Sequence, residues 1–450
     1  MNLLELLKRP EGKTLEFKRD LSSPEGALRT IVAFANTAGG TLLIGVEDRS
    51  RHVRGVTKPL DLEERLASLI SDRIVPRIVP ELEILPWRRT HVLAVKVHPS
   101  MARPHHFVRK GHDDCVYVRV GSTNRRADRE LIAEMRRSAR ASGFDEEPVP
   151  EMNSEAIDFR AASESFASFR KLRRTDLETL HLLTRHQGRK VPTVAGMLLF
   201  GRERERLFPD AWIQVGRFQG TTRSRIADQR ELRDYPLNAI ADAIAFVQKH
   251  ALFGAEIGVL RRKDRWSVPP VAVREAVINA VVHADYSQRG APTRLSIFDD
   301  RIEVESPGLL PFGLTIDDLQ HGVSKLRNRI IGRVFHALGL IEQWGSGIGR
   351  MTDSCKDAGL APPILEEIGT HFRVTLSTKR VSGAVRDKKD QAILDVIAVE
   401  EGRLTSEIAK AIGLSTRATR TRLARLVELG LVREIGTSPQ DPKRKYFRAE

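Results

Sequence analysis

Three polar side chains are set apart by their spacing. Glu275, Asn279 and His283 recur every four residues in the run from Arg274 to Tyr286, and side chains four apart stack on one face of a helix. Val273, Ala276, Val277, Ala280, Val281 and Ala284 recur at helical spacing in the same run, which makes one broad apolar face. The pattern predicts a helix that buries its apolar face and presents the Glu-Asn-His row on the opposite side. An Asn amide oxygen is a hard ligand suited to Mg²⁺, which keeps most of its waters and bridges to nucleotide phosphates. A Glu one turn earlier is placed to polarise an attacking water.

Two further pieces follow in the chain. Arg294–Phe298 and Arg301–Glu305 alternate apolar and polar residues about Asp299-Asp300, the pattern of a β-hairpin, and the second strand runs into Ser306-Pro307-Gly308. Later come Trp344 and three alternating glycines, Gly345, Gly347 and Gly349, ahead of an apolar-periodic segment. A glycine-rich turn that opens a helix lets backbone N–H groups approach phosphates. This set of motifs resembles the GHKL-type ATP-binding domain shared by histidine kinases, gyrase-type topoisomerases and heat-shock chaperones. It is most similar to a divergent branch found in bacterial predicted transcriptional regulators, where Gly313-Leu314-Thr315, Ser324, Arg327-Asn328 and Leu338–Glu342 fall in the same order. The resemblance implies an α/β sandwich that binds ATP and Mg²⁺. Glu275 would be the catalytic base and Asn279 the metal ligand, with His283, Ser306, Gly308, Gly345, Gly347 and Gly349 around the nucleotide. At Ser306 the family at large has an Asp that reads the adenine amino group; a hydroxyl accepts that hydrogen bond more weakly.

Near the start, Glu11, Glu16 and Asp48 are acids among basic neighbours. Leu15–Lys18, Thr41–Val46, Glu81–Leu85, Val92–Val97 and Tyr117–Val120 read as strands, and Ala27–Ala35 and Leu62–Ile70 as helices, so residues 1–140 form a mixed-sheet α/β domain. The strings Glu11–Lys18, Ala33–Gly40 and Ile44–Asp48 resemble the AlbA_2 domain, the core also found in Schlafen proteins. That resemblance implies nucleic-acid binding. Some Schlafens cut tRNA or rRNA with three carboxylates, which match Glu11, Glu16 and Asp48. Clustered acids hold a divalent cation, Mg²⁺ or Mn²⁺, that activates water and stabilises charge on a phosphate. The alternative is structural: Glu16 pairs with Lys18 or Arg119, and Asp48 caps a turn. Arg119, Arg125 and Arg126, with arginines further along to Arg140, offer planar donor forks for phosphate.

Residues 141–270 carry no chemistry of their own. Phe159–Gln187 reads as helical, Val194–Gly201 and Trp212–Phe218 as strands, and Leu237–Leu252 as a helix, so this stretch is expected to connect or dimerise. The expected ATP-binding domain spans 271–380. In 381–450, Thr405–Ser415 reads as helix and turn, and Ser415 caps a helix whose buried stripe is Thr419, Leu423, Leu426 and Val427. Arg417, Arg420, Arg422 and Arg425 occupy much of the remainder, and paired strands would close a wing around residues 436–443. This resembles a winged helix-turn-helix with its second helix positioned for the DNA major groove.

Size and composition agree with that division. A chain of 450 residues holds about three domains. A net charge of +15 points to an acidic partner, DNA or RNA. The two cysteines, Cys115 and Cys355, are isolated, which speaks against a zinc site and for a reducing compartment. Glu5 interrupts the apolar start, and no apolar run reaches the length of about 18 residues needed to cross a membrane. The expectation is a cytoplasmic, α/β, multidomain regulator, assembled as a dimer or higher homo-oligomer by analogy with related ATPase domains. Nucleotide would control its hold on DNA or RNA. A metal-dependent nuclease using Glu11, Glu16 and Asp48 is the second reading, and a scaffold that keeps only the ATPase fold is the third.

Overall fold

The computed structural model describes residues 2–48, 50–108, 116–257, 262–342, 345–379, 388–397, 402–428, 431–435 and 444–448. Its mixed α/β architecture has sixteen α-helices among the described residues. The chain forms two compact units, one of residues 1–355 and 362–378, the other of residues 356–361 and 379–450.

The first unit opens on a four-stranded sheet ordered Leu15–Lys18, Gly40–Ile44, Thr90–Val97, Glu81–Trp87. The first pair is parallel and the others antiparallel, so the sheet is mixed. Alternation along the second strand serves both faces. Leu42 and Ile44 pack with Leu28, Ile31 and Phe34 of the Pro24–Asn36 helix and with Leu66 and Ile70 of the Pro59–Arg73 helix. Leu43 joins Leu15, Phe17, Val92 and Leu3 on the other face, Leu3 coming from the Leu3–Lys8 helix.

The same unit contains a six-stranded sheet ordered Ile226–Leu232, Ile213–Phe218, Thr293–Ile297, Arg301–Pro307, His371–Ser377, Ile364–Ile368. Thr293–Ile297 and Arg301–Pro307 are the expected hairpin, closed by Phe298 N–H donating to Arg301 O at 2.8 Å. The helices Pro236–His250 and Pro270–His283 pack against this sheet and each other. Two of the six strands come from residues 213–232, so the stretch expected to connect domains supplies an edge of the sheet.

Two local expectations are corrected here. Val194–Phe200 is a helix, not a strand, and all seven of its residues are buried. A short run of apolar residues shows no period to choose between the two. What decides is Thr193, whose hydroxyl accepts from Gly196 N–H as an N-cap. Residues 183–187, expected to be helical, belong instead to a hairpin of Leu183–His186 with Arg189–Pro192, turning at Gly188, which has a φ of +79°. Leu177, Leu180 and Leu183 are nonetheless buried.

The mixed-sheet and six-stranded parts share a core. Leu309 and Phe312 pack into a cluster with Val116, Val118, Val120, Leu131 and Met135. Gly313 N–H donates to Thr37 O at 3.0 Å, Lys13 Nζ is 2.6 Å from Glu367 Oε1, and Arg327 pairs with Glu134.

The second unit is a winged helix. The helices Lys388–Val396, Thr405–Ile412 and Thr416–Glu428 surround Ile393, Ile408, Leu423 and Leu426, and Val432 and Tyr446 close that core from a three-stranded sheet. Gly413, at φ +69°, ends the second helix in the left-handed conformation that a glycine adopts without a Cβ clash. The expected wing turn at 436–443 and Cys115 lie outside the described residues. Among the described residues, no helix is long and apolar enough to cross a membrane.

If Phe312 fastens the six-stranded part to the Tyr117–Val120 strand and the Arg129–Ala139 helix, Phe312→Ala should cost about 3 kcal/mol, measured as a lowered urea midpoint. An unchanged midpoint would refute a shared core.

Candidate functional site

The Pro270–His283 helix is buried around nearly its whole circumference. Glu275, Ile278 and Val282 are as inaccessible as Ala276, Val277, Ala280 and Val281. The apolar side of the helix is therefore broader than one face, and the Glu-Asn-His row, with Asn279 and His283 half-buried, lines a cleft. The amide of Asn328 fixes the end of the helix, its Nδ2 donating to Val282 O at 2.9 Å and Ala284 O at 2.8 Å.

The cleft encloses about 1080 Å³ of space. Glu275, Asn279 and His283 line one wall, and Ser306 and Gly308 follow from the end of the Arg301–Pro307 strand. Gly345 and Gly347 come from the turn that opens the Gly347–Asp357 helix. Val304, Leu309, Leu314, Phe372 and Val374 supply apolar surface. Two glycines, Gly308 and Gly345, are required by backbone and space, and a third stands close to the polar row. Gly308, at φ +106°, would place a Cβ 2.9 Å from Asp285 Cβ, and Gly345, at φ +67°, would place one 2.6 Å from Gly322 O. A Cβ on Gly347 would lie 2.8 Å from Glu275 Oε2 and 3.5 Å from Asn279 Nδ2. The glycine turn and the polar row thus meet at backbone distance.

Gly349 is different. It sits exposed within the Gly347–Asp357 helix, does not line the cleft, and has open space around its missing Cβ. Trp344 lies outside the described residues. His283 is held neutral, since burial pushes its imidazole down to about 4, which makes it a neutral polar group at physiological pH rather than a cation. Glu275 is not a bare carboxylate. Arg350 Nη2 stands 3.1 Å from its Oε1, while Arg350 Nη1 is 2.6 Å from Glu342 Oε1. Arg350, Glu342 and Lys325 all line the cleft and were given no role from the sequence. Arg350 directly follows the glycine turn, and its charge beside phosphate-type glycines was the available signal.

The N-terminal carboxylates divide. Glu11 Oε1 accepts from Phe17 N–H at 2.7 Å, and burial together with a hydrogen bond to Asp48 raises its carboxyl to about 7. Asp48 is exposed. Glu16 is buried between Arg119, 2.5 Å from its Oε2, and Lys18. Arg119 is itself buried, donating also to Gly12 O at 3.0 Å and Asn124 Oδ1 at 2.9 Å. Two assignments are corrected by this geometry. Glu16 is an ion-pair partner rather than an open metal ligand, and Arg119 is an interior brace rather than a nucleic-acid contact. Among the described residues, no group of three or more His, Cys, Asp or Glu side chains is placed to hold a metal ion. Arg125 and Arg126 are exposed on the Thr123–Arg126 strand.

On the Thr416–Glu428 helix, Arg417 and Arg420 are exposed. Arg422 pairs instead with buried Asp390. This corrects its reading as a groove contact: it fastens the first helix of the winged domain to the third.

Three segments match known families. Residues 11–128 match the Schlafen AlbA_2 model. Residues 290–376 match the model described as putative ATP-dependent DNA helicase RecG C-terminal, and residues 386–433 match a winged helix-turn-helix DNA-binding model. They follow the order read from the sequence, and the helix carrying Glu275, Asn279 and His283 lies ahead of the second match. The chain is similar to the crystal structure of the DIP2311 protein from Corynebacterium diphtheriae, at 21% identity over 97% of this chain and 92% of that one, with a TM-score of 0.45. It is similar over 28% of its length to 92% of the solution structure of the N-terminal domain of a putative ATP-dependent DNA helicase RecG-related protein from Nitrosomonas europaea, at 24% identity and a TM-score of 0.23. No curated protein matches the chain.

The Glu11–Asp48 contact has a pH signature. Between the ordinary carboxyl value of 4.5 and about 7, the folded protein keeps a proton that the unfolded chain has lost, so stability falls as pH rises through that window. Glu11→Gln, which cannot ionise, should therefore raise Tm at pH 8 and lose that advantage below about pH 5. An equal Tm difference at both pH values would show that the Glu11 carboxyl is not raised in the folded protein.

Proposed function

We propose that this chain is an ATP-binding, nucleic-acid-binding regulator in which nucleotide in the central cleft controls the grip of the domains around it. The observation that carries this reading is the convergence of three separate chain segments on one cleft. The Glu275–His283 row, the Ser306–Gly308 strand end and the Gly345–Gly347 turn line the same space.

The donor set fits a nucleotide with its metal. The apolar surface of Val304, Leu314 and Phe372 suits a base, and the Ser306 hydroxyl accepts from its amino group. The close approach at Gly347, which a Cβ would block, leaves room for phosphate against the backbone at the start of an eleven-residue helix. Asn279 supplies an amide oxygen for Mg²⁺, which when bound neutralises phosphate charge. Arg350 and Arg274 both stand against Glu275 Oε1, and a phosphate drawing off Arg350 would leave the carboxylate less tightly held and better able to orient water.

Control of the flanking domains follows from differential binding: nucleotide shifts the protein toward whichever state it fits better. Residues 1–140 and 381–450 are the nucleic-acid-binding parts in this reading, residues 141–270 join residues 271–380 in the nucleotide domain, and the active form is a cytoplasmic homo-oligomer. Contact between Glu11 and exposed Asp48 favours a second reading, metal-dependent cleavage of RNA or DNA, which then rests on two carboxylates rather than three. Glu11→Ala or Asp48→Ala should abolish any Mg²⁺- or Mn²⁺-dependent cleavage, and cleavage persisting in both variants rules this reading out.

ATP with Mg²⁺ should raise the melting temperature of the parent protein, by about 2.7 kcal/mol of added stability at a hundredfold excess over Kd. Asn279→Ala should remove that rise; a parent protein whose melting ignores ATP would leave only a scaffold. In the winged domain, Arg417→Ala with Arg420→Ala should weaken duplex DNA binding and flatten its logarithmic salt dependence by roughly 1.8, two phosphate contacts at about 0.9 each. An unchanged slope places phosphate contact elsewhere.

A further inference from the structure

The mixed-sheet domain carries a second feature that none of its candidate residues uses. The Glu81–Trp87 and Thr90–Val97 strands are joined by a two-residue turn, with Trp87 opposite Thr90. Such turns favour Asn or Gly, because they need positive φ. Here the residues are Arg88, at φ +51°, and Arg89. On the neighbouring loop Arg51 also has positive φ, +55°. A bulky side chain in the left-handed region is unfavourable.

These arginines line one hollow of about 920 Å³ with Trp87, His52 and Leu7, and no acidic residue lines it. Arg88 and Arg89 are exposed, and Arg88 Cζ lies 5.9 Å from the centre of the Trp87 ring. Arg51 is aimed by a 3.0 Å hydrogen bond to Lys8 O. The loop carrying Arg51 and His52 is tied to the Glu47-Asp48 end of the central strand, through Glu47 N–H donating to His52 O at 2.9 Å and an Arg54–Glu47 ion pair at 2.6 Å. The hollow therefore opens at the same end of the sheet as the Glu11–Asp48 contact, away from buried Arg119.

We propose that this hollow binds single-stranded nucleic acid, with Trp87 stacking on a base and Arg51, Arg88 and Arg89 holding the phosphates beside it. Cations interleaved with an aromatic ring fit a strand whose bases are free to stack; in a duplex the base faces are covered. The inference rests on the nucleic-acid-binding reading above and assigns it a site and a strand type.

The test uses the full chain and fluorescence anisotropy with labelled oligothymidine, oligouridine and a DNA duplex over a salt series. Arg88→Gly with Arg89→Asn puts glycine at the one left-handed position of the turn, so Tm should hold or rise while the charge is lost. Single-strand affinity should fall about tenfold or more, and the salt slope should flatten by roughly 1.4, two phosphates at about 0.7 each. Trp87→Ala should also weaken single-strand binding, about tenfold, without changing the slope. Duplex binding should be untouched in both variants. Preference for oligouridine or oligothymidine identifies the sugar, and either supports the site. Parent-like affinity and slope in the Arg88/Arg89 variant overturn the proposal. A parent protein that binds the duplex but neither single strand overturns it while the nucleic-acid reading stands; binding to none of the three sinks both.

Discussion

The first unit depends on one stretch of chain being buried from two sides. Between Leu309 and Leu314 the backbone runs between the six-stranded sheet and the mixed-sheet domain, and from His321 to Lys325 it is exposed. Phe312 points into the core around Val118 and Met135, and Gly313 is bonded to Thr37. Leu310, Leu314, Leu319 and Leu326 from the same stretch line the cleft. A close-packed core transmits displacement because it has no voids to absorb it. The wall of the cleft therefore cannot shift far without disturbing the domain that holds Glu11, Asp48 and the arginine hollow. That shared wall joins the cleft to the N-terminal domain through packing.

Charge placement obeys the same economy of burial. Glu16 and Arg119 are both inaccessible, and each is tolerated only because the other, with Lys18, Gly12 O and Asn124, satisfies its polar atoms. In the winged domain buried Asp390 pairs with Arg422, which is partly exposed. Glu275 is equally buried, but its partner Arg350 is one-third exposed and shared with Glu342. A shared, half-open pair beside a cleft is the kind that can exchange one anion for another. A sealed pair such as Glu16–Arg119 braces the fold instead. This difference separates the acids that hold the structure from those able to take part in chemistry.

Much of this was legible in the residues themselves. Spacing of four placed Glu275, Asn279 and His283 in one row, period-two alternation marked the hairpin before Ser306, and Gly413 with Ser415 marked the turn between the last two helices. These signals are local: helix period, strand period and turn backbone depend on neighbours in sequence. The short buried helix at Val194–Phe200 was not legible, because seven consecutive apolar residues carry no period. Nor was the role of 213–232, whose strands join a sheet by parallel pairing with residues some eighty positions away.

The sequence alone determined the elements that carry a clear period or cap, the order of the three matched segments, and which residue types could meet phosphate or metal. Tertiary structure alone decided which of those residues are available. It closed Glu16 and Arg119 on each other, turned Arg422 inward to Asp390, left Gly349 outside the cleft, and brought Arg350 to Glu275 across 75 positions. The reason is that a charge's partner is set by distance in space, and burial makes that partner obligatory. Residue type and spacing specify what a side chain can do; only packing specifies what it is already bound to.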